Sequence, residues 1–307
     1  MNNFQTWIAQ TRANFLVLAI FLTAIGLAFA AKYDTETAFN WLHAILIMAG
    51  AISAHISVNL FNEYSDFQTR IDFNTQRTPF SGGSGMLTEG RTKPLHVRIA
   101  AWLTLLFSAA IGVYFGIVSH YSIIVIALIG AIAITLYTPL LSRLLLGEIF
   151  SGLALGSLVI IGAYIAMNAE PGTPLADLVP IEVLLVSIPP GILTALLLLL
   201  NEFPDAEADK AGGRRHLVIV FGKQRAAWFY AANMLAIFTI ILLLPLLGIA
   251  SYWLYLALLP VPLAIKASAI AIKHHSDLPK LIPALGMNVL VVLGTDLLIA
   301  ISVIITI

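Results

Sequence analysis

Nine runs of about twenty mainly apolar residues punctuate this chain, and a bilayer is the environment that such runs fit. A hydrocarbon core roughly 30 Å thick takes about 20 helical residues to cross. Backbone groups inside it must bond to one another, which favours helices. The runs are 13–31, 38–60, 97–118, 121–141, 149–167, 181–200, 226–250, 252–272 and 281–307. The expected fold is all-α: an integral membrane bundle of about nine transmembrane helices, in one domain over 1–307. Tight turns at His120 and at Ala250 and Ser251 pair spans three and four, and seven and eight, as hairpins. Charged residues make up 10% of the chain, against about 25% in soluble domains. That is too few to cover a surface facing water. The polar segment 1–12 precedes an apolar run too long for a cleaved signal peptide, with no small-residue cleavage site after it, so that run reads as the first span.

The Lys and Arg residues test this topology. Arg12, then Arg70, Arg77, Arg91, Lys93 and Arg98, then Arg143, then Lys210, Arg214, Arg215, Lys223 and Arg225, and finally Lys273 and Lys280 all fall on one side. Lys32 stands alone on the other, and Lys266 lies within span eight, close enough to its basic end to snorkel. A one-span error scrambles this bias. The positive-inside rule then puts the N-terminus and the basic loops in the cytoplasm, the C-terminus outside, and the protein in the cell's inner membrane. Net charge is zero, so no global field attracts nucleic acid, and no nucleic-acid partner is expected. The absence of cysteine excludes disulfide scaffolds, zinc–thiolate sites, iron–sulfur clusters and a thiol nucleophile.

The two long loops, 61–96 and 201–225, are both on the basic side, and each opens with an acidic motif. The first reads Asn59-Leu60-Phe61-Asn62-Glu63-Tyr64-Ser65-Asp66, followed by Asp72. The second reads Asn201-Glu202-Phe203-Pro204-Asp205-Ala206-Glu207-Ala208-Asp209-Lys210. Both contain Asn-x-x-x-Asp and four spans separate them, so the chain reads as two pseudo-repeated four-helix units plus a ninth helix. Residues four apart share a helix face. Asn62 therefore projects with Asp66, and Asn201 with Asp205 and Asp209. Asp72 lies about 240° round from Asp66 on a continuing helix, so it joins Asp66 only if the helix ends or bends first. Pro204 is expected to distort its helix locally.

A charged Asp at the bilayer centre costs roughly 2.5–3.5 kcal/mol, and facing clusters repel. A bridging divalent ion relieves both penalties. Asp and Asn oxygens without His or Cys suit Mg²⁺, which also accepts phosphate oxygens. The bland reading, solvated helix ends, explains one motif better than two on the same face. Arg70, Arg77, Lys210, Arg214 and Arg215 lie near the carboxylates in sequence and suit a diphosphate ligand, although topology and lipid headgroups also account for basic loops. The glycine-rich segment Pro79-Phe80-Ser81-Gly82-Gly83-Ser84-Gly85 could bend over such a ligand or move as a lid. Four other groups stand out. Asp296, inside span nine, could pair with Lys266, touch a substrate or hydrogen-bond a neighbouring helix. His55 fits a satisfied bundle histidine better than a ligand. Glu63 and Glu202 adjoin the motifs and are candidates to support them.

With these residues in view, the chain resembles, over nearly its whole length, the UbiA superfamily of intramembrane aromatic prenyltransferases. The wide Asp66-x₅-Asp72 spacing is similar to the 1,4-dihydroxy-2-naphthoate (menaquinone-type) branch. The second motif, running on through Gly212-Gly213-Arg214-Arg215 to Phe221-Gly222-Lys223, matches the family's second signature. Tyr137-Thr138-Pro139 with Arg143 resembles its Tyr-and-basic element, and Arg12 its first-helix arginine. The chain departs from the pattern at Glu63, at Phe203-Pro204, at Ala13 and at His216, where the family commonly has Thr. The resemblance implies Mg²⁺ as cofactor, held by Asn62, Asp66 and Asp72 and by Asn201, Asp205 and Asp209, with the four aspartates catalytic. It implies that Arg12, Arg70, Arg77, Tyr137, Arg143, Lys210 and Arg214 bind the diphosphate of a polyprenyl donor. It further implies a small aromatic acceptor and contact with membrane lipid. Other branches use 4-hydroxybenzoate, porphyrin or glycerol phosphate acceptors. A transporter with functional carboxylates is the rival of a different class, and it predicts acids near the bilayer midplane rather than at one face.

Overall fold

The computed structural model describes residues 2–33 and 39–307, and among these the regular elements are all helices. Ala38, the first residue of the expected second span, lies outside the described residues. The helices are α1 (Asn3–Gln10), α2 (Leu16–Tyr33), α3 (Trp41–Gln68), α4 (Ile71–Asn74), α5 (Pro94–Val118), α6 (Ser122–Leu136), α7 (Gly147–Gly152), α8 (Leu158–Asn168), α9 (Ile181–Val186), α10 (Ile188–Ala211), α11 (Leu217–Phe221), α12 (Lys223–Leu246), α13 (Val261–His274) and α14 (Leu278–Ile304). Several join into single spans: α7 continues through a π turn into α8, and α9 into α10.

Eight helical segments among the described residues are long and apolar enough to cross a bilayer. The fourth run is shorter than expected: α6 has 15 residues, about 22 Å of helix. It stops where Pro139 lacks an N–H and disfavours helical backbone at Thr138. The run beyond it is a turn followed by a single 3-10 turn over Leu141–Arg143. By contrast α3 has 28 residues, about 42 Å, so its last turns stand clear of a 30 Å core. That overhang carries the first acidic motif to the membrane edge, and the span Ile181–Ala211 does the same for the second.

Sequence neighbours pack side by side, and α14 returns to α2 and α10, closing the bundle. The main core joins Leu22, Ile25 and Phe29 of α2 to Ile160 of α8, Leu193 and Leu196 of α10, and Val291, Val292 and Ile299 of α14. Small residues allow the closest approaches. A Cβ on Gly156 would stand 2.7 Å from Gly191 Cα, so the π turn and α10 touch backbone to backbone. At the end away from the acidic motifs, Lys32 pairs with Glu182 at 2.6 Å and Tyr33 donates to the same carboxylate at 2.7 Å, fastening α2 to α9. Trp41, Trp102, Trp228 and Trp253 are exposed near span ends, as interface anchors are.

The glycine contacts make a paired prediction. Gly156→Ala forces α10 away and destabilises the protein by about 1–3 kcal/mol. At Gly130 of α6 an added Cβ meets nothing within 4 Å, so Gly130→Ala is neutral or stabilising by up to about 1 kcal/mol. Unfolding of the two variants in detergent checks this; equal responses would remove close helix contact as the reason for Gly156.

Candidate active site

The first motif turns on itself. Helix α3 ends at Gln68, and Arg70 adopts left-handed backbone with φ 61° and ψ 15°. The short α4 then brings Asp72 back toward Asp66, and the two line one cavity. This is the bend that the six-residue spacing requires. The second motif needs none. Pro204 lies inside α10, yet the helix runs on to Ala211, and Asn201, Asp205 and Asp209 line the same cavity from successive turns.

Arg214 joins the motifs. Its guanidinium donates to Asp209 Oδ1 at 2.8 Å, pairs with Asp66 on its other arm, and reaches Asn62 Oδ1 at 3.4 Å. Arg12, in left-handed backbone with φ 53°, lines the cavity from the corner between α1 and α2. Asn59 braces that corner by donating to the Thr11 carbonyl at 3.0 Å.

The glycine-rich segment folds over the carboxylates and touches both halves. Gly82 N–H donates to Asp205 Oδ2 at 3.2 Å. The Ser84 N–H and hydroxyl donate to the two oxygens of Glu63 at 2.5 and 2.6 Å, and Gln10 Nε2 donates to Glu63 at 3.0 Å. Gly82, Gly83 and Gly85 all have positive φ. At Gly83 a Cβ would stand 2.9 Å from Asp72 Oδ1, so only glycine lets the backbone approach that carboxylate.

Beside the acidic cavity lies a mainly apolar one, lined by Phe15, Leu18, Leu155 and Leu197 with His55, Asn59, Ser151 and Thr194 as polar groups. The two share Arg12, Asn62, Tyr137, Leu198 and Asn201, which form a neck between charge and hydrocarbon. A third cavity, between α3, α5, α6 and α8, is lined largely by small residues such as Gly50, Ala54, Ala127, Gly130 and Ala131.

Asn62, Asp66, Asp72, Asn201, Asp205, Asp209, Arg12, Tyr137 and Arg214 thus come together around one cavity. Four other basic candidates lie elsewhere. Arg70 is exposed and stacks over Phe73. Arg77 turns back to Glu89 at 3.2 Å and to Thr88. Arg143 is exposed beyond α6. Lys210 lines a separate surface basin with Lys223, Arg225 and His275. Asp296 is fully buried in α14 and makes no hydrogen bond among the described residues, and Lys266 points to the exterior. Glu202 is buried beside His216. Glu148, an acid opening span five in a charge-poor chain, joins Glu202 and His216 although no motif marks it.

The donor set suits a hard dication. It is all oxygen, and Asn201 Oδ1 and Asp205 Oδ1 are buried without a hydrogen-bond partner among the described residues. Burial, then the neighbouring Asp66 and Glu63 carboxylates, push Asp72 up to about 8. Near pH 7 this carboxyl holds a proton that an incoming cation must displace. Mg²⁺ binding is therefore expected to release protons, and its affinity to climb with pH and level off above about 8. Titration calorimetry in buffers of different ionisation enthalpy measures the release; a buffer-independent heat counts against it. Gly83→Ala is expected to weaken Mg²⁺ binding by about 10-fold or more by displacing Asp72 and straining the loop, which the same titration reads.

The family model described as "UbiA prenyltransferase family" matches residues 18–289. A Bacillus subtilis protein named 1,4-dihydroxy-2-naphthoate octaprenyltransferase is 31% identical over 69% of this chain, and the aligned part spans 65% of that protein. An Escherichia coli protein of the same name is 25% identical over 97% of this chain and 95% of its own length. A UbiA homologue from Aeropyrum pernix K1 has the same fold, with TM-score 0.72, 17% identity and coverage of 95% of this chain and 98% of that one. Another, from Archaeoglobus fulgidus, bound to GPP and Mg²⁺, superposes with TM-score 0.59 at 16% identity, covering 96% of this chain and 99% of that one. With a family match across most of its length, a shared fold and both acidic motifs lining one cavity, this chain belongs to the UbiA prenyltransferase family.

Proposed function

We propose that this protein transfers a polyprenyl group from a polyprenyl diphosphate to 1,4-dihydroxy-2-naphthoate, a step of menaquinone-type quinone biosynthesis. The observation that carries the reading is the neck: a carboxylate-rich cavity opens through Arg12, Asn62, Tyr137, Leu198 and Asn201 into an apolar one. That layout matches a substrate with a diphosphate head and a hydrocarbon tail. The Bacillus and Escherichia coli relatives, both named for the naphthoate reaction, support this acceptor over 4-hydroxybenzoate, a porphyrin or glycerol phosphate.

Asn62, Asp66 and Asp72 from one motif, and Asn201, Asp205 and Asp209 from the other, would hold Mg²⁺. When bound, Mg²⁺ neutralises diphosphate oxygens and stabilises the charge that builds on the leaving group. Arg12 and Arg214 add fixed positive charge at the same head group. Ionisation of the allylic C–O bond leaves a cation in the neck. Phe15, Leu18, Leu155 and Leu197 exclude water from it, so the aromatic acceptor rather than water attacks, and the attacked ring carbon then loses its proton, or its carboxylate as CO₂, to restore the aromatic ring. His55, Asn59, Ser151 and Thr194 supply the few polar groups that orient a small aromatic ring in an otherwise apolar space. The small-residue cavity between α3, α5, α6 and α8 gives the isoprenoid tail a route toward lipid. The basic residues of the two long loops support a cytoplasmic active face at the inner membrane, with the N-terminus on the same side.

The test is prenylation by purified protein in detergent. Polyprenyl diphosphates are offered with 1,4-dihydroxy-2-naphthoate, 4-hydroxybenzoate, a porphyrin and glycerol phosphate, with Mg²⁺ present or chelated. Mg²⁺-dependent prenyl-naphthoate formation is expected, and Asp66→Asn and Asp205→Asn each lower its rate by about 100-fold or more. Preference for another acceptor would reassign the substrate within the same reaction. Folded protein that neither binds nor cleaves any prenyl diphosphate in Mg²⁺ would favour the transporter.

A further inference from the structure

In one wall of the acidic cavity, where Glu202 and His216 are among the lining residues, lies a cluster that prenyl transfer leaves without a role. Glu148 on α7, Glu202 on α10 and His216 ahead of α11 are 4%, 7% and 2% exposed. Glu148 Oε1 accepts from the Leu217 N–H at 2.7 Å. Glu148 Oε2, Glu202 Oε2 and both ring nitrogens of His216 make no hydrogen bond to any described group. Buried polar atoms are normally paired, so three of them, Glu148 Oε2, Glu202 Oε2 and His216 Nδ1, brought together from three elements call for a ligand. Their chemistry differs from that of the Mg²⁺ motifs, because an imidazole joins two carboxylates. Mg²⁺ prefers oxygen, whereas mixed imidazole and carboxylate sets suit Zn²⁺ and its first-row neighbours.

The spacing agrees. One ligand atom from each residue can be chosen so that all lie within 4.8 Å of one another. His216 Nδ1 and Glu202 Oε2 stand 3.4 Å apart. Two ligands each about 2.1 Å from a tetrahedral ion are separated by about 3.4 Å. The far nitrogen of the ring, Nε2, faces Asp209 Oδ2 at 3.3 Å. A metal-bound histidine commonly has a carboxylate behind it in this way, which fixes its tautomer and ring orientation.

We propose that Glu148, Glu202 and His216 form a further metal site, for a divalent transition ion of the Zn²⁺ kind, distinct from the oxygen-ligand Mg²⁺ motifs. Through the His216 ring the bound ion steadies Asp209, the last acid of the second motif. The alternative is that protons shared between the carboxylates and the imidazole satisfy the cluster without a metal. The proposal does not depend on the acceptor or on turnover, since metal content is read on resting protein.

The experiment uses full-length protein in detergent, stripped with chelator and then titrated with Zn²⁺ or Co²⁺ in excess Mg²⁺. Bound metal is counted by mass spectrometry, and the intensity of the Co²⁺ visible absorption separates a tetrahedral site from an octahedral one. Wild type and Asp66→Asn are expected to keep about one ion per chain. Glu148→Gln, which retains an oxygen for the Leu217 N–H, and His216→Asn are expected to bind it about 100-fold more weakly or less tightly still. Zn²⁺ should also raise the melting temperature of stripped wild type but not of these two variants. No retained ion and no Zn²⁺-dependent stabilisation of wild type would overturn the site, whatever the variants do. Undiminished binding in Glu148→Gln would overturn it as well.

Discussion

Carboxylates crowded at the end of an apolar bundle are the constraint around which this molecule is arranged. Asp66, Asp72, Glu202, Asp205 and Asp209 line one cavity with the guanidinium groups of Arg12 and Arg214 and the His216 ring among them. Two like charges 4 Å apart repel by about 4 kcal/mol at an effective dielectric of 20, so full ionisation without cations is not sustainable. Arg214 takes the central position, pairing with Asp66 of one motif and Asp209 of the other. The push of Asp72 toward a neutral carboxyl is the same pressure in another form. A site of this kind is held ready for positive charge, and a metal-bound diphosphate brings cations and phosphate oxygens together.

The loops follow from that pressure. The glycine-rich segment offers N–H groups where acids need donors: Gly82 to Asp205, Ser84 to Glu63. One loop thereby touches the acidic ends of α3 and α10, which belong to different halves of the chain. Gln10 of α1 bonds Glu63, and Thr92 bonds Gln10 at 2.6 Å, so the N-terminal helix is tied into the same strap. Movement of this strap would alter both motifs together, because its donors are divided between them.

Much of this could be read from the sequence, because it depends on period and sidedness. Apolar run length gave the helical spans, the Lys and Arg distribution gave a common face for both long loops, and the four-residue spacing placed Asn201, Asp205 and Asp209 in one line. What escaped depends on direction and distance. Basic residues near an acid in sequence can point either way, and Arg77 points back to Glu89 while Arg214 points in. The left-handed turn at Arg70 was required by the Asp66 and Asp72 spacing, yet nothing in the residue type announces it. Glu148 reaches the site from a separate span, and no local pattern connects it to Glu202 or His216. The fourth run ended early because Pro139 outweighed the apolar residues beyond it.

A nine-run membrane fold is a large apparatus for one bond transfer, and the neck explains why it is needed. A prenyl diphosphate has a head that requires cations and polar donors and a tail that water rejects. The length of α3 beyond the hydrocarbon thickness lifts Asn62 and Asp66 to the membrane edge while Val58 and His55, one and two turns earlier, remain beside the apolar cavity. Helix α10 repeats the arrangement with Asn201 and Asp205 above and Leu197 and Thr194 below. A polarity step of the kind a prenyl diphosphate carries along its length is thus written twice along helices of the protein. Shortening either helix by a turn would move its acids away from the membrane edge, which is why the motifs sit at the ends of long helices rather than within loops alone.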